Sequence, residues 1–303
     1  MEYALQTKSL EKQYKKYHAL RGVTMNVPKG SIYGFVGKNG AGKPTLFRQV
    51  GGLQEPPAGE YFIYGKSNHD RDIIKSRRRM AAVVETPSIY REMTAEENLK
   101  EQYRVLGLSS FDDIPDLLKM VGLEDTGKKK AKNFSLGMRQ RLGIAVALAG
   151  NPDFLMLDEP INGLDPEGII EMRELIRKLN HVQGITILIS SHILDELARV
   201  ATHFGFIDKG VIVQEIIAAE LEHECRKRIY ITVTDTAILG RMLDEMGLEY
   251  KILSQTEAQI FGETEITTLV LKLTERNCRV KTLSEQEENL ESYFMNLVGA
   301  KRS

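Results

Sequence analysis

The stretch "GFVGKNGAGKPTLFRQV", residues Gly34–Val50, limits the possible folds of this chain more than any other segment. A short apolar run leads into a glycine-rich loop, and a helical pattern begins directly after Lys43. Glycines let the backbone curl so that successive N–H groups point at phosphate oxygens, and the start of a helix adds partial positive charge. The order strand, loop, lysine and helix therefore predicts a phosphate-binding loop in an α/β domain.

This loop supplies most of the predicted nucleotide-binding residues. Its backbone amides would surround the phosphates, and the Lys43 ammonium would add a point charge at the β- and γ-phosphates. The residues predicted to contact nucleotide in this segment are Gly37, Asn39, Gly40, Ala41, Gly42, Lys43, Pro44 and Thr45.

Pro44 departs from the usual loop, which has serine or threonine after the lysine to bind Mg²⁺ through its hydroxyl. Proline has neither a hydroxyl nor a backbone N–H, and it disfavours helical geometry at the residue before it, here Lys43. Thr45 does not simply replace the missing ligand, because adjacent helical positions point about 100° apart. We therefore expect nucleotide to bind through the remaining amides and Lys43, with weakened metal-dependent hydrolysis.

Two acids end the apolar segment "DFLMLDEP", which indicates a buried parallel strand. A strand buried on both faces has little reason to end in paired acids unless they meet a cation or water. Asp158 is the expected anchor for Mg²⁺, and Glu159 is the expected general base that polarises the attacking water.

Strand and helix patterns divide the chain into two parts. Residues 1–218 alternate strands with helices, which predicts an α/β domain with a mainly parallel sheet. This part begins with strand-rich sequence and includes a helical region at about 90–150. In residues 219–303 the strand and helix patterns predict a small α+β domain. This domain has no set of residues typical of a catalytic site, and we expect it to have a dimer-stabilising or regulatory role.

Two capping-box patterns predict where helices begin. Thr94 and Glu97 would start a helical run in the first part of the chain, and Ser284 and Glu287 would start the final helix, "SEQEENLESYFMNLV".

Two further segments complete a recognisable order of motifs. "NFSLGMRQR" precedes the acidic strand, and "ISSHILDEL" carries a single histidine after the next strand. With the glycine loop, this order resembles the ATP-binding subunits of ABC transporters over about residues 2–217. The resemblance implies a P-loop NTPase cassette with a RecA-like core, an N-terminal antiparallel β subdomain and a helical subdomain that carries the Ser-x-Gly segment.

The resemblance also assigns roles to residues outside the loop. Ser135 and Gly137 would contact the γ-phosphate of an ATP held by the opposite subunit. His192 would contact the γ-phosphate as the catalytic switch residue, and Asp165 would communicate between the two ATP sites.

Tyr14 matches the aromatic residue that stacks on adenine, and Tyr17 is a weaker candidate. Glu85, in "AAVVETPSIYREMT", stands where the family generally has a glutamine that binds Mg²⁺ and senses the membrane partner. As an anionic oxygen donor, Glu85 would partly restore the metal site. Glutamate here, the form "SLGMRQRLGIA" and the ending "NLESYFMNLVG" are similar to the subgroup that serves bacitracin- and lantibiotic-type peptide exporters.

The expected ligands and partners follow from the resemblance. They are ATP with Mg²⁺, a second ATPase subunit in a homodimer or heterodimer, and a transmembrane permease that holds the chain at the inner face of the cell membrane. The chain has 41 Lys+Arg against 42 Asp+Glu, and its basic runs lack a recognition element, so no nucleic-acid partner is expected. No apolar run approaches the roughly 18 residues of a membrane-spanning helix.

Two other functions have less support from the sequence. Soluble ABC ATPases of translation or DNA repair generally carry tandem cassettes or a long coiled coil, and this chain has one cassette and no heptad array. A nucleotide-binding regulatory module with little turnover is the other alternative, which Pro44 favours.

Overall fold

A computed structural model describes residues 2–262, 264–286 and 290–300. The chain divides into two compact units, Met1–Ala218 and Ala219–Ser303. In chain order, the elements of the first unit are β1 (Tyr3–Tyr14), β2 (Tyr17–Pro28), β3 (Ile32–Val36), α1 (Lys43–Val50), β4 (Ala58–Ile63), β5 (Lys66–Ser67), α2 (Ile73–Arg77), β6 (Met80–Val83), α3 (Ala95–Leu106), α4 (Ile114–Met120), α5 (Leu136–Leu148), β7 (Phe154–Asp158), α6 (Pro166–His181), β8 (Thr186–Ser191), α7 (Leu194–Ala198), β9 (His203–Asp208) and β10 (Val211–Ile217).

A mainly parallel six-stranded sheet forms the centre of the first unit, with strand order β10-β9-β3-β8-β7-β6. All pairs are parallel except β9 with β10. Every residue of β3, β7 and β8 is buried, as expected for strands covered on both faces. This confirms the predicted α/β class. Because these strands are parallel neighbours, the segments that follow their carboxyl ends lie at one edge of the sheet.

The second sheet of this unit is antiparallel, with strand order β2-β1-β4-β5. Its apolar side chains, such as Leu5 and Val23, share one hydrophobic core with Phe35 of β3 and Phe47 of α1. The antiparallel sheet therefore packs against the helix that follows the glycine loop.

Helices α3, α4 and α5 form the helical region between β6 and β7. Thr94 is the N-cap of α3: its hydroxyl accepts from the Glu97 N–H at 3.2 Å, and the Glu97 carboxylate accepts from the Thr94 N–H at 2.8 Å. This confirms the first predicted capping box.

The second unit begins with α8 (Ala218–Glu224), whose first residue lies at the boundary. Its elements are β11 (Arg228–Val233), α9 (Thr236–Met246), β12 (Tyr250–Ile252), β13 (Glu257–Phe261), α10 (Ile266–Glu275), β14 (Val280–Gln286) and α11 (Leu290–Ala300). The strands form an antiparallel sheet in the order β12-β13-β11-β14. The sequence β-α-β-β-α-β with this order is the ferredoxin-like arrangement.

The second predicted capping box is wrong. Ser284 lies within β14, where it pairs with Tyr230 of β11, and α11 begins at Leu290. Glu287 lies outside the described residues. The local pattern favoured a helix start, but pairing with β11 adds the fourth strand of the sheet and outweighs this preference.

Across the described ranges, no helix combines the length and apolar character that crossing a membrane requires.

Candidate nucleotide-binding site

At two positions, the loop between β3 and α1 has a backbone conformation that only glycine adopts readily. Gly40 and Gly42 have φ angles of 82° and 112°. A Cβ atom on Gly42 would also lie 2.4 Å from the Ala19 carbonyl oxygen of β2. The Ala41 carbonyl accepts from the Gly210 N–H at 3.0 Å, which ties the loop to the turn between β9 and β10. The curled loop is therefore fixed by its neighbours from two sides.

Helix α1 begins at Lys43, so the expected disruption of helical geometry before Pro44 is not observed. The first turn of a helix tolerates proline, because the N–H groups there have no partner within the helix. The first turn contains no acidic residue, and the helix start therefore keeps its partial positive charge for an anion. Thr45 is 7% exposed and lies in the same turn.

Three charged or ionisable side chains meet beside this loop. The Lys43 side chain is 4% exposed, and its ammonium donates to the Gly37 carbonyl and lies 3.1 Å from Oε1 of Glu159. The other carboxylate oxygen, Oε2, lies 2.7 Å from Nδ1 of His192. Glu159 follows β7 and His192 follows β8, so the two adjacent parallel strands bring these side chains together. The structure thus joins three of the predicted site residues in one network.

Asp158, the last residue of β7, is 5% exposed. Its Oδ1 accepts from the Ser190 hydroxyl at 2.6 Å, and its carboxylate also receives the Glu85 backbone N–H. Burial raises the pKa of Asp158, the Glu159 charge raises it further, and the Ser190 and Glu85 hydrogen bonds oppose that rise. Asp158 is therefore a buried carboxylate that faces the same sheet edge as Glu159.

The Ser-x-Gly segment forms the start of α5. Ser135 is its N-cap and accepts from the Met138 N–H at 3.1 Å. Asp165 is likewise the N-cap of α6 and accepts from the Gly168 N–H at 3.2 Å. The two helix starts are neighbours, because a Cβ atom on Gly137 would lie 3.7 Å from Leu164. These residues form a second group of predicted site residues, at the starts of α5 and α6.

Comparison with known proteins agrees with this geometry. Residues 20–162 match the family model described as ABC transporter. The bacitracin transport ATP-binding protein BcrA of Enterococcus faecalis is 35% identical over 99% of this chain and 97% of that protein. The chain belongs to the ABC transporter ATP-binding family. It is therefore an ABC ATPase with the P-loop NTPase fold.

Two more relatives of this ABC ATPase are informative. The lantibiotic transport ATP-binding protein SrtF of Streptococcus pyogenes is 43% identical over 70% of the chain and 90% of that protein. A solved structure of the ATP-binding cassette MJ0796, described as a dimeric post-hydrolysis state with ADP and Pi, has a TM-score of 0.62 and 28% identity. That match covers 71% of this chain and 98% of the solved one.

The donor set of this ABC ATPase fits a triphosphate. The curled loop presents backbone amides, α1 presents a helix start without acidic residues, and Lys43 presents a buried ammonium. Lys43 is paired with Glu159 in this arrangement, so a phosphate group would exchange one anionic partner of Lys43 for another.

The site offers fewer groups to bind Mg²⁺ than to bind phosphate. Among the residues described, no group of three or more His, Cys, Asp or Glu side chains has the spacing of a metal site. Mg²⁺ beside nucleotides commonly takes one or two carboxylates and fills its other positions with phosphate and water, so one buried carboxylate, such as that of Asp158, would be enough protein ligand for it. Pro44 offers no ligand. The Glu85 carboxylate pairs with Arg48 of α1, so a metal ion at Glu85 would have to displace this partly exposed ion pair.

The two tyrosines proposed for adenine make different contacts in this ABC ATPase. Tyr14 donates its hydroxyl to Oε1 of Gln54 at 2.6 Å. Tyr17 donates its hydroxyl to the Gly40 carbonyl of the phosphate loop. Both rings are partly exposed, at 37% for Tyr14 and 50% for Tyr17. Tyr17 is therefore the one that touches the loop directly.

Three residues of the site were missed by sequence reasoning. Arg48 pairs with Glu85, and Gly210 supports the loop. Ser190 donates to the Asp158 carboxylate and accepts from the Glu159 backbone N–H. The motif "ISSH" contained Ser190 but carried no sign of its role, which depends on the pairing of β7 with β8.

Proposed function

We propose that this chain is the ATP-hydrolysing motor subunit of an ABC exporter for antimicrobial peptides or drugs. The observation that carries the proposal is the Lys43–Glu159–His192 network, which lies where β3, β7 and β8 end, beside a loop shaped for phosphates. The bacitracin and lantibiotic transport proteins among the relatives support the substrate class.

Binding of ATP begins with the loop amides and the start of α1. Lys43 then leaves Glu159 for the β- and γ-phosphates, which frees the carboxylate only when nucleotide is present. Glu159 orients a water molecule and accepts its proton as the water oxygen attacks the γ-phosphorus and the bond to the ADP oxygen breaks. His192 holds the carboxylate through Nδ1 during this step. Bound Mg²⁺, anchored by Asp158, would neutralise charge on the phosphates.

A second subunit completes each site in this proposal. The start of α5 contains no acidic residue in its first turn and is capped by Ser135, so its partial positive charge suits an anion. Ser135 and Gly137 of one copy would contact the γ-phosphate held by the other, and Asp165 would link the two sites. The dimeric form described for MJ0796 supports this arrangement.

The permease would bind in a groove of about 800 Å³ between β6, α3 and α5. Apolar side chains lie along the groove, and Val105 and Leu106 are 70% and 45% exposed. Arg77, Arg78 and Gln102 line the same groove, so the surface fits a loop of a membrane protein that carries both apolar and polar side chains. This would place the chain in the cytoplasm, on the inner face of the membrane, as a peripheral subunit.

A nucleotide-binding regulatory module with little turnover is the second candidate. Pro44 favours it, because one phosphate-facing N–H and one hydroxyl ligand are missing from an otherwise complete loop.

Turnover and ATP binding of three full-length proteins test the proposal: the wild type, Glu159→Gln, and a control, Glu96→Gln, which alters an exposed carboxylate of α3. The motor proposal expects Glu159→Gln to lower turnover by on the order of 10²- to 10⁴-fold, while ATP binding and the control stay near wild type. Equal turnover in all three proteins would contradict the assigned role of Glu159. ATP binding by a wild type without turnover would favour the regulatory module.

A further inference from the structure

Ser190 occupies an unusual position between the two acids of the site. It is the penultimate residue of β8, is 0% exposed and pairs directly with Asp158 across the parallel strands. Its hydroxyl donates to Oδ1 of Asp158 at 2.6 Å and accepts from the backbone N–H of Glu159 at 2.9 Å. One buried hydroxyl therefore contacts both neighbouring acids at once.

The chemistry of a hydroxyl suits this double contact. A serine hydroxyl has one donor and two acceptor positions, so it can donate to a carboxylate and accept from an amide at the same time. Alanine offers neither function. Loss of the hydroxyl would leave a buried carboxylate oxygen and a backbone N–H with poorer hydrogen bonding.

The backbone of Glu159 shows why this contact matters for the side chain. Its φ angle is 50°, in the left-handed region that a residue with a Cβ adopts at an energetic cost. This turn ends β7 and directs the Glu159 carboxylate to both Lys43 and His192. The Glu159 N–H is shared between the hydroxyl of Ser190 and its carbonyl oxygen, the latter at 3.2 Å. Ser190 thus supplies both hydrogen-bond acceptors of the strained amide.

We infer that Ser190 is a positioning residue for ATP hydrolysis, whose hydroxyl fixes the orientation of Asp158 and the left-handed turn at Glu159. This inference rests on the roles proposed above for the two acids. It adds to the ATP site a residue that acts through Asp158 and Glu159 and does not itself touch nucleotide.

Four full-length proteins test the inference: the wild type, Ser190→Ala, Ser190→Thr, which keeps the hydroxyl, and Thr186→Val. The Thr186 control removes a hydroxyl that is equally buried, on the same strand but at its opposite end, where it accepts from the Gly30 N–H. The first readout is amide hydrogen exchange at Glu159 in the absence of nucleotide, and the second is steady-state ATP hydrolysis.

We expect Ser190→Ala to speed exchange of the Glu159 amide by about tenfold or more. In the same variant kcat should fall by about tenfold or more, with a much smaller change in KM, because the loop that binds ATP is intact. Ser190→Thr should restore both values toward wild type, and Thr186→Val should leave both close to wild type.

Unchanged Glu159 exchange and unchanged kcat in Ser190→Ala would overturn the inference, as would equal losses in Ser190→Ala and Thr186→Val. Should Ser190→Ala fail to fold, Ser190→Cys, a similar side chain with only a weak donor, is measured under the same criteria. Failure of the proposed function has a different result, namely no turnover in the wild type. In that case the exchange experiment still decides whether the Ser190 hydroxyl holds the turn at Glu159.

Discussion

Replacement of Pro44 is the perturbation that most directly addresses the departure of this chain from the usual phosphate loop. Pro44 is the second residue of α1, at a position whose N–H would have no partner within the helix and would be available to phosphate. Pro44→Ala restores that N–H alone, whereas Pro44→Thr restores the N–H and the hydroxyl. The pair of variants therefore separates the amide contribution from the metal-ligand contribution.

The expected change in ATP affinity follows from restoring one hydrogen bond to a charged phosphate group. Such a bond contributes about 1.5–3 kcal/mol. At 1.36 kcal/mol for each factor of ten, this corresponds to a roughly 10- to 150-fold change in an equilibrium or rate constant. Pro44→Ala should therefore bind ATP about 10-fold or more tightly than the wild type, and Pro44→Thr should in addition hydrolyse ATP faster in the presence of Mg²⁺.

Calorimetric titration with ATP and a phosphate-release assay at fixed Mg²⁺ measure the two effects in the same preparations. Thermal unfolding of each variant provides the control for altered folding, since proline is compatible with the first turn and little change is expected. Equal ATP affinity and equal turnover in the wild type and both variants would refute the reasoning about the missing donor and ligand.

Three other outcomes follow from specific contacts. His192→Ala removes the bond to Glu159 and should lower turnover by on the order of 10²-fold, with ATP affinity nearly unchanged in the same calorimetric assay; a proportional loss of affinity would contradict a role in positioning the base. Thr94→Ala removes a helix cap and should lower the free energy of unfolding by about 1 kcal/mol in urea, with no effect on turnover. Burial and the neighbouring Glu215 raise the pKa of Tyr33 well above its ordinary value of 10.0 in the folded state. The stability that Tyr33 contributes should therefore be complete below about pH 10 and decline at higher pH, so the difference in unfolding free energy between wild type and Tyr33→Phe should fall over that range. Parallel pH curves would show that the raised pKa has no consequence for stability.

The sequence was sufficient to predict the fold class and a glycine loop between a buried strand and a helix that begins at Lys43, because both depend on local patterns. Glycines at fixed spacing, a lysine at a helix start and an apolar strand that ends in acids each carry a local physical reason. The same holds for the capping box at Thr94, whose two hydrogen bonds lie within four residues.

Contacts between distant segments could not be predicted in this way. Ser190 bonds to Asp158 only because β8 pairs with β7 in one particular register, and Arg48 reaches Glu85 only because α1 packs beside the segment after β6. Ser284 is an error of a different kind. The local pattern predicted a helix start there, but the residue lies in a strand that pairs with β11. In all three cases the deciding interaction joins residues far apart in the chain.

The central claim is that the glycine loop and the Lys43 ammonium bind the phosphates of ATP, and that this binding releases Glu159 for hydrolysis. Titration of the full-length wild type and of Lys43→Ala with ATP, and of the wild type with AMP, tests it most directly. We predict saturable heat of binding for ATP with the wild type, and little or none for AMP or for Lys43→Ala with ATP. Equal affinity for ATP and AMP, or equal affinity of the two proteins for ATP, would contradict the account.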